Sequence, residues 1–151
     1  MEEDTAYRLH QSLGYHLSVA ARQQERRLDE ALRRLGLTRI SWCILLAAGN
    51  EGLNQPSEIA EFVGIDRTAT SRALRGMEAD GLLKRASGTE DRRTRRVVLT
   101  PKGRDLIAKG SVHARENAAH MSQVLSGEEE AELKRLLAKL HAAGGGPLPG
   151  L

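Results

Sequence analysis

The sequence lacks the features of secreted, membrane-spanning and disulfide-stabilised proteins. One cysteine, Cys43, stands among 151 residues, so no disulfide forms within the chain and a reducing cytoplasm is the expected compartment. No apolar run approaches the roughly 20 residues of a membrane-spanning helix. The first ten residues are acidic and lack the apolar stretch of a signal peptide. We therefore expect a cytoplasmic protein without a membrane partner.

Signatures of enzymes and of cofactor sites are also missing. The sequence has no glycine-rich phosphate loop, no Ser-His-Asp or Cys-His arrangement, and no paired carboxylates outside helix faces. No cluster of histidine, cysteine and carboxylate residues has metal-ligand spacing. We expect no enzyme, no cofactor and no metal. Since aromatic residues make up only 3% of the chain, the core must consist mainly of aliphatic side chains.

Positive charge is concentrated in the middle of the chain. Residues 66–104 contain 11 Lys and Arg against 5 Asp and Glu, whereas the other residues contain 12 against 15. A basic segment between acidic flanks is typical of a local surface that binds a polyanion.

Apolar periodicity and capping residues predict six helices. A long amphipathic helix is expected over 6–35 and a buried one over 38–48. Gln55 and Glu58 resemble a capping box that opens the third helix. The expected starts of the last three helices are Asp66 for the fourth, Thr100-Pro101 for the fifth and Ser126, with Glu129 in a capping box, for the sixth.

Two short strands are predicted between the fourth and fifth helices. They cover residues 82–85 and 95–99 and flank a polar, charged tip over 87–94. The third and fourth helices are separated only by Gly64-Ile65-Asp66. Two helices joined by such a turn and followed by a basic hairpin predict a winged helix-turn-helix, in a fold that is mainly α with a small β-hairpin wing.

This arrangement predicts which side chains face double-stranded DNA. The second helix of the pair places its N-terminal half in the major groove, where small polar side chains and arginines reach bases and phosphates. The expected contacts on this helix are Arg67, Thr68, Thr70, Ser71, Arg72 and Arg75. On the wing, Arg92, Arg93 and Arg95 are placed to reach the minor groove, and Asp91 is expected to orient the guanidinium of Arg93.

Several runs of residues resemble the MarR family of transcriptional regulators. The most diagnostic are Asp91-Arg92-Arg93 in the wing and Leu99-Thr100-Pro101-Lys102-Gly103 after it. Ser57-Glu58-Ile59-Ala60, Gly64-Ile65-Asp66-Arg67 and Gly81-Leu82-Leu83-Lys84-Arg85 also match. Ala69 departs from the pattern, since the family more often has a β-branched residue there. The close match covers about residues 36–103.

The resemblance implies a domain organisation and a dimer. It predicts an N-terminal dimerisation helix over 1–35, a winged helix-turn-helix over 36–103 and C-terminal dimerisation helices over 104–143. The glycine- and proline-rich composition of residues 144–151 predicts a flexible tail. The leucine-striped helices at both ends have too little domain to bury against, which also favours a homodimer. Such a dimer reads a pseudo-palindromic operator.

The resemblance also implies a repressor released by a small aromatic or carboxylated ligand. Candidate ligand-binding residues are Tyr15, His16, Trp42 and His113. One alternative is a constitutive or redox-controlled DNA-binding regulator without a ligand. Cys43 lies in an apolar helix, where burial should raise its pKa and make it inert, which disfavours redox control. A protein-interaction module is the alternative from another class, but it would not need the arginines of the fourth helix and wing.

Overall fold

Helices make up most of the computed structural model, which describes residues 6–87 and 95–151. Over these residues the helices are α1 Leu13–Arg34, α2 Arg39–Gly49, α3 Pro56–Val63, α4 Arg67–Ala79, α5 Pro101–Ser122 and α6 Gly127–Ala143. The strands are β1 Leu83–Ser87 and β2 Arg95–Leu99, which pair in antiparallel orientation. The predicted fold class, mainly α with a small hairpin wing, is confirmed.

Side-chain caps begin α4, α5 and α6 where the sequence predicts them. Asp66 accepts a hydrogen bond from the Ala69 amide at 2.7 Å. Thr100 accepts one from the Gly103 amide at 3.1 Å. Ser126 and Glu129 form a reciprocal capping box. Each cap satisfies amides that the first turn of a helix leaves without partners.

One predicted helix start and one predicted capping box are wrong, whereas α3 begins at Pro56 as predicted. A single 3-10 turn, Leu9–Gln11, precedes α1, whose N-cap is Ser12 and not a residue near position 6. The Ser12 hydroxyl accepts the Tyr15 amide at 3.0 Å, so the cap interrupts the apolar stripe. The capping box at Gln55 does not form, since the Gln55 side chain makes no cap hydrogen bond. Pro56 still occupies the first turn of α3 and favours its start.

The core lies between α2, the helix pair α3–α4 and the wing. Ile44, Leu45, Ile59, Leu74 and Leu83 are fully buried in one continuous cluster. The central apolar run of α2 is therefore buried, as predicted. In the same cluster, Trp42 of α2 packs against α5 at Gly110, where a Cβ atom would lie 2.5 Å from the indole Cζ3.

Buried and exposed side chains alternate along the hairpin, and the buried ones attach it to the core. In β2, Val97 and Leu99 are buried, whereas Arg96 and Val98 are exposed. Leu83 pairs with Leu99 and Arg85 with Val97, so these four side chains lie on the face turned towards the core. The Val97 amide also donates to the carbonyl of Asn54 at 2.7 Å, which ties the wing to the loop before α3.

The start of α5 is joined to the turn between α4 and β1. The Thr100 hydroxyl lies 2.6 Å from the Gly81 carbonyl oxygen and 3.0 Å from that of Leu82. The Lys102 ammonium donates to the Asp80 carbonyl at 2.8 Å. A Cβ atom on Gly103 would overlap the Leu82 carbonyl oxygen, so only glycine allows this approach. These contacts give the Leu-Thr-Pro-Lys-Gly segment a structural role.

The C-terminal part of the chain is the most exposed. Leu133, Leu136, Leu137 and Leu140 of α6 are each more than 40% exposed in the single chain. Within 144–151, where the sequence predicts flexibility, Leu148 forms an isolated bridge with Ile65; the flexibility itself stays a prediction, as do the domain boundaries. No helix of the described ranges is long and apolar enough to cross a membrane.

Candidate nucleic-acid interface

The helix pair α3–α4 presents one face of α4 to the surface. α3 ends at Gly64, whose positive φ of 80° turns the chain, and α4 starts three residues later. Leu74 and Met77 are buried in the core cluster together with Ile59 of α3. This packing fixes the rotation of α4 about its axis, so the opposite face is held outward.

The outward face of α4 carries five of the six DNA contacts predicted on this helix. Its exposed residues include Arg67, Thr68, Ser71, Arg72 and Arg75. Their spacing places them on adjacent turns of one helix face. In the described ranges, no carboxylate lies within ion-pair distance of the three arginines. The face is therefore cationic and available to a polyanion.

Thr70 lies on the other side of the helix. It is 1% exposed, and its hydroxyl donates to the Asp66 carbonyl at 2.9 Å. A side chain so enclosed does not reach a base edge. The structure therefore places Thr70 in the packing of α4, together with Leu74 and Met77, and we leave it out of the contact surface proposed below.

The wing supplies a second group of cations. Arg95 and Arg96 are exposed at the start of β2, and Lys84 is exposed on β1. In the register of the hairpin, Arg95 shares the face of Arg85, which is turned towards α4, whereas Arg96 shares the outer face with Lys84. The predicted wing residues Asp91, Arg92 and Arg93 lie outside the described residues.

An ion pair that sequence analysis missed joins α4 to the wing. The Arg85 side chain donates to Glu78 Oε2 from Nε at 2.9 Å and from Nη2 at 2.8 Å, and the Arg85 amide donates to Oε1 at 3.2 Å. Hydrogen bonds from the Arg85 side chain, and then from its amide, hold the pKa of Glu78 below its usual value, and the charge of Arg95 adds a smaller effect. The pair therefore fixes the wing relative to α4.

The four ligand candidates fall into two groups. Tyr15 and His16 lie at the start of α1, where the Tyr15 ring is 4.8 Å from that of His10 and 5.7 Å from that of His16. Trp42 is buried against Gly110, one helical turn before His113. The His113 ring nitrogen Nδ1 lies 3.5 Å from Glu116 Oε2. The structure thus brings Tyr15 close to His16, and Trp42 close to the α5 segment of His113.

A surface cavity of about 460 Å³ lies at the root of the wing, and none of the four candidates lines it. It is formed by the end of α2, the following loop, β2 and the start of α5. Val98 and Ile107 give it apolar walls, and Asn54 and Arg104 contribute polar groups. An apolar cavity with a few polar groups is suited to a small organic anion. Sequence periodicity gave no signal for it, because three separate segments enclose it.

Comparison with known proteins decides the family. The model of the MarR family matches residues 35–94. The chain is also 30% identical to the transcriptional regulator PA3341, over 87% of this chain and 97% of that one, with a TM-score of 0.74. The chain belongs to the MarR family of transcriptional regulators. The predicted family is thereby confirmed, and these two matches are to regulators and not to enzymes.

Two further solved structures share the fold. A cysteine-to-serine mutant of MarR from E. coli, complexed with operator DNA, is 23% identical over 85% of this chain and 92% of that one, with a TM-score of 0.77. BpsR from Bordetella bronchiseptica, whose DNA binding is regulated by 6-hydroxynicotinic acid, is 22% identical over 90% of this chain and 97% of that one, with a TM-score of 0.82.

Proposed function

We propose that this MarR-family chain is a homodimeric repressor that binds a pseudo-palindromic operator in double-stranded DNA and leaves it when a small aromatic or carboxylated ligand binds. The observation that carries the proposal is the exposed arginine face of α4, which has no ion pair among the described residues and is held outward by the buried stripe of Thr70, Leu74 and Met77. Likeness in fold to MarR of E. coli, which has been described with operator DNA, supports the same mode of binding.

The α4 face would enter the major groove. Ser71 and Arg72 stand one turn in from the helix start, where side chains of a recognition helix reach base edges. Arg67 and Thr68 are at the helix N-terminus, whose free amides favour a phosphate. Arg75 and, on the wing, Arg95 would contact the flanking backbone. Arg92 and Arg93, with Asp91 as orienting partner, remain expected contacts from the sequence alone.

A second copy would cover the exposed leucines of α6. A stripe of four leucines that are each more than 40% exposed is unusual for a stable monomer. Two-fold pairing would place two α4 helices about 34 Å apart, one turn of B-DNA, and would account for a pseudo-palindromic site. In solution we expect twice the chain mass of 16.5 kDa.

The first experiment measures binding to DNA upstream of the protein's own gene over a range of salt concentrations. Arg72→Ala should lower affinity and relax sequence preference, by about 1–3 kcal/mol for a lost bidentate base contact. Arg75→Ala should weaken all duplexes and reduce the slope of log K against log salt by about one unit. Lys109→Ala is the control, because it removes a positive charge from α5 that is paired with Asp105.

Two results would contradict the interface. Equal affinities for wild type, Arg72→Ala and Arg75→Ala would remove α4 from the contact, and a salt-independent affinity would exclude phosphate binding. A protein that binds another protein and no DNA would favour the interaction-module alternative. A gene reporter then distinguishes repression from activation, since loss of the regulator raises expression only if it represses.

The ligand is tested with the same operator and a panel of aromatic carboxylates. BpsR, which this chain resembles in fold, responds to such a compound. If a compound releases the protein from the operator and His113→Ala or Tyr15→Phe abolishes this release, a site formed by Tyr15, His16, Trp42 and His113 is favoured. Relief that only Arg104→Ala abolishes would place the ligand in the cavity at the wing root. DNA binding that no compound relieves would favour the constitutive or redox-controlled alternative.

A further inference from the structure

The C-terminal segment 144–151 returns to the helix-turn-helix and pairs with its turn. The Leu148 amide donates to the Gly64 carbonyl at 2.9 Å, and the Leu148 carbonyl accepts the Asp66 amide at 2.9 Å. Leu148 therefore lies parallel to Ile65, with one hydrogen bond on each side of it. The partners are the C-cap of α3 and the N-cap of α4.

The flanking prolines determine which residue pairs. Pro147 and Pro149 have no amide hydrogen, so Leu148 supplies the sole N–H of this three-residue run. Their fixed φ also favours extended backbone, which suits a strand-like contact. A shift of the segment by one residue would leave the Gly64 carbonyl facing a proline. The sequence therefore specifies the register of this contact.

The end of the segment reaches another corner of the domain. Leu151 lines a surface cavity together with Leu37 and Ile40, where the chain passes from α1 into α2. The segment thus spans the α1–α2 corner and the α3–α4 turn, and α6 precedes it in the chain. Three glycines, residues 144–146, connect it to α6. Because glycine loses the most conformational entropy on ordering, this connection makes release of the segment easy.

We propose that residues 144–151 form a detachable strap that restrains the turn of the helix-turn-helix relative to the α1–α2 corner and thereby raises operator affinity. This inference rests on the proposed function. Both recognition helices must be held at the spacing of successive major grooves, and a restraint present before binding lowers the cost of ordering. The strap acts at the N-cap of α4, where a small displacement moves the whole contact face.

Hydrogen exchange tests the contact, and operator binding tests its effect. Leu148→Pro removes the amide that donates to Gly64, whereas Leu148→Ala keeps both backbone bonds and changes a side chain that is more than half exposed. In Leu148→Pro we expect the Asp66 amide to exchange about three- to tenfold faster, the ratio for loss of one net hydrogen bond. Operator affinity should fall by a similar factor, and Leu148→Ala should match wild type in both.

A chain lacking residues 144–151 is the second variant and should behave like Leu148→Pro while keeping its thermal stability and dimer mass. Unchanged exchange at Asp66 in both variants would overturn the strap. Faster exchange with equal or higher operator affinity would overturn its effect on binding. If wild type binds no DNA, the proposed function fails, but exchange at Asp66 still decides whether the strap exists.

Discussion

Replacing Gly110 with alanine should destabilise the protein through a steric clash with Trp42. A Cβ atom at this position would lie 2.5 Å from Cζ3, 2.9 Å from Cε3 and 3.0 Å from Cη2 of the indole. Carbon atoms in contact are separated by about 3.5–4.0 Å. The ring is 4% exposed and enclosed by the core, so it has little room to retreat.

The magnitude follows from two opposing effects. Overpacking a filled core costs about 1–3 kcal/mol, and alanine gains about 1 kcal/mol over glycine inside a helix. We therefore expect Gly110→Ala to lower the free energy of unfolding by up to about 2 kcal/mol and the Tm by up to a few degrees. Gly76→Ala in α4 is the matched control, because a Cβ there meets nothing within 4 Å. It should stabilise the protein by about 1 kcal/mol.

A double-mutant cycle isolates the clash. Trp42→Phe removes the ring atoms nearest to Gly110, so Gly110→Ala should then cost much less, or should stabilise. Urea unfolding followed by circular dichroism measures all four proteins, at one protein concentration because dimer stability depends on it. Two results would show that Trp42 does not pack against Gly110 and would refute the reasoning. Gly110→Ala could lower the free energy of unfolding equally in both backgrounds, or it could stabilise the wild-type background as Gly76→Ala does.

The ion pair between Glu78 and Arg85 should make stability depend on pH. The folded-state pKa of Glu78 lies below its unfolded value, so the pair stabilises the fold above pH about 4.3 and loses this effect as pH falls further. Glu78→Gln and Arg85→Gln should each reduce the fall in the free energy of unfolding at acidic pH. A steeper fall in either variant would contradict the pairing. Burial raises the pKa of the Cys43 thiol, with Arg39 opposing it. At pH 7.5 the thiol should react with an aromatic disulfide at least about tenfold more slowly in the native protein than in urea. Equal rates would favour the redox-controlled alternative.

The sequence predicted the start of a helix correctly where a single capping side chain determines it. Asp66, Thr100 and Ser126 each cap a helix within their own neighbourhood, so their positions needed no tertiary information. The start of α1 was misplaced because apolar periodicity continues through Ser12, and the cap competes with it. Gln55 failed as a cap because glutamine is not among the favoured N-cap residues.

The candidate site was predicted in part. The α4 stripe at positions 70, 74 and 77 has the spacing of one buried face, so the burial of Thr70 was contained in the sequence. The Thr70 hydroxyl suggested a polar contact with DNA, but it donates its hydrogen bond to the Asp66 carbonyl. The pair of Glu78 with Arg85 and the bridge of Leu148 with Ile65 join different elements. Periodicity carries no information about such partners.

Because the contacts at Thr100 fix the start of α5 to the turn between α4 and β1, a rotation at this point moves the far end of α5. Its first turn is fixed to the end of α4 and the start of β1 through Gly81, Leu82 and Asp80. With 22 residues, α5 is about 33 Å long. A tilt of about 5° at the joint would move its far end by about 3 Å. Conversely, a displacement of that size at the far end of α5 would rotate the attached α4 and wing by only a few degrees, so α4, the wing and α5 would turn together.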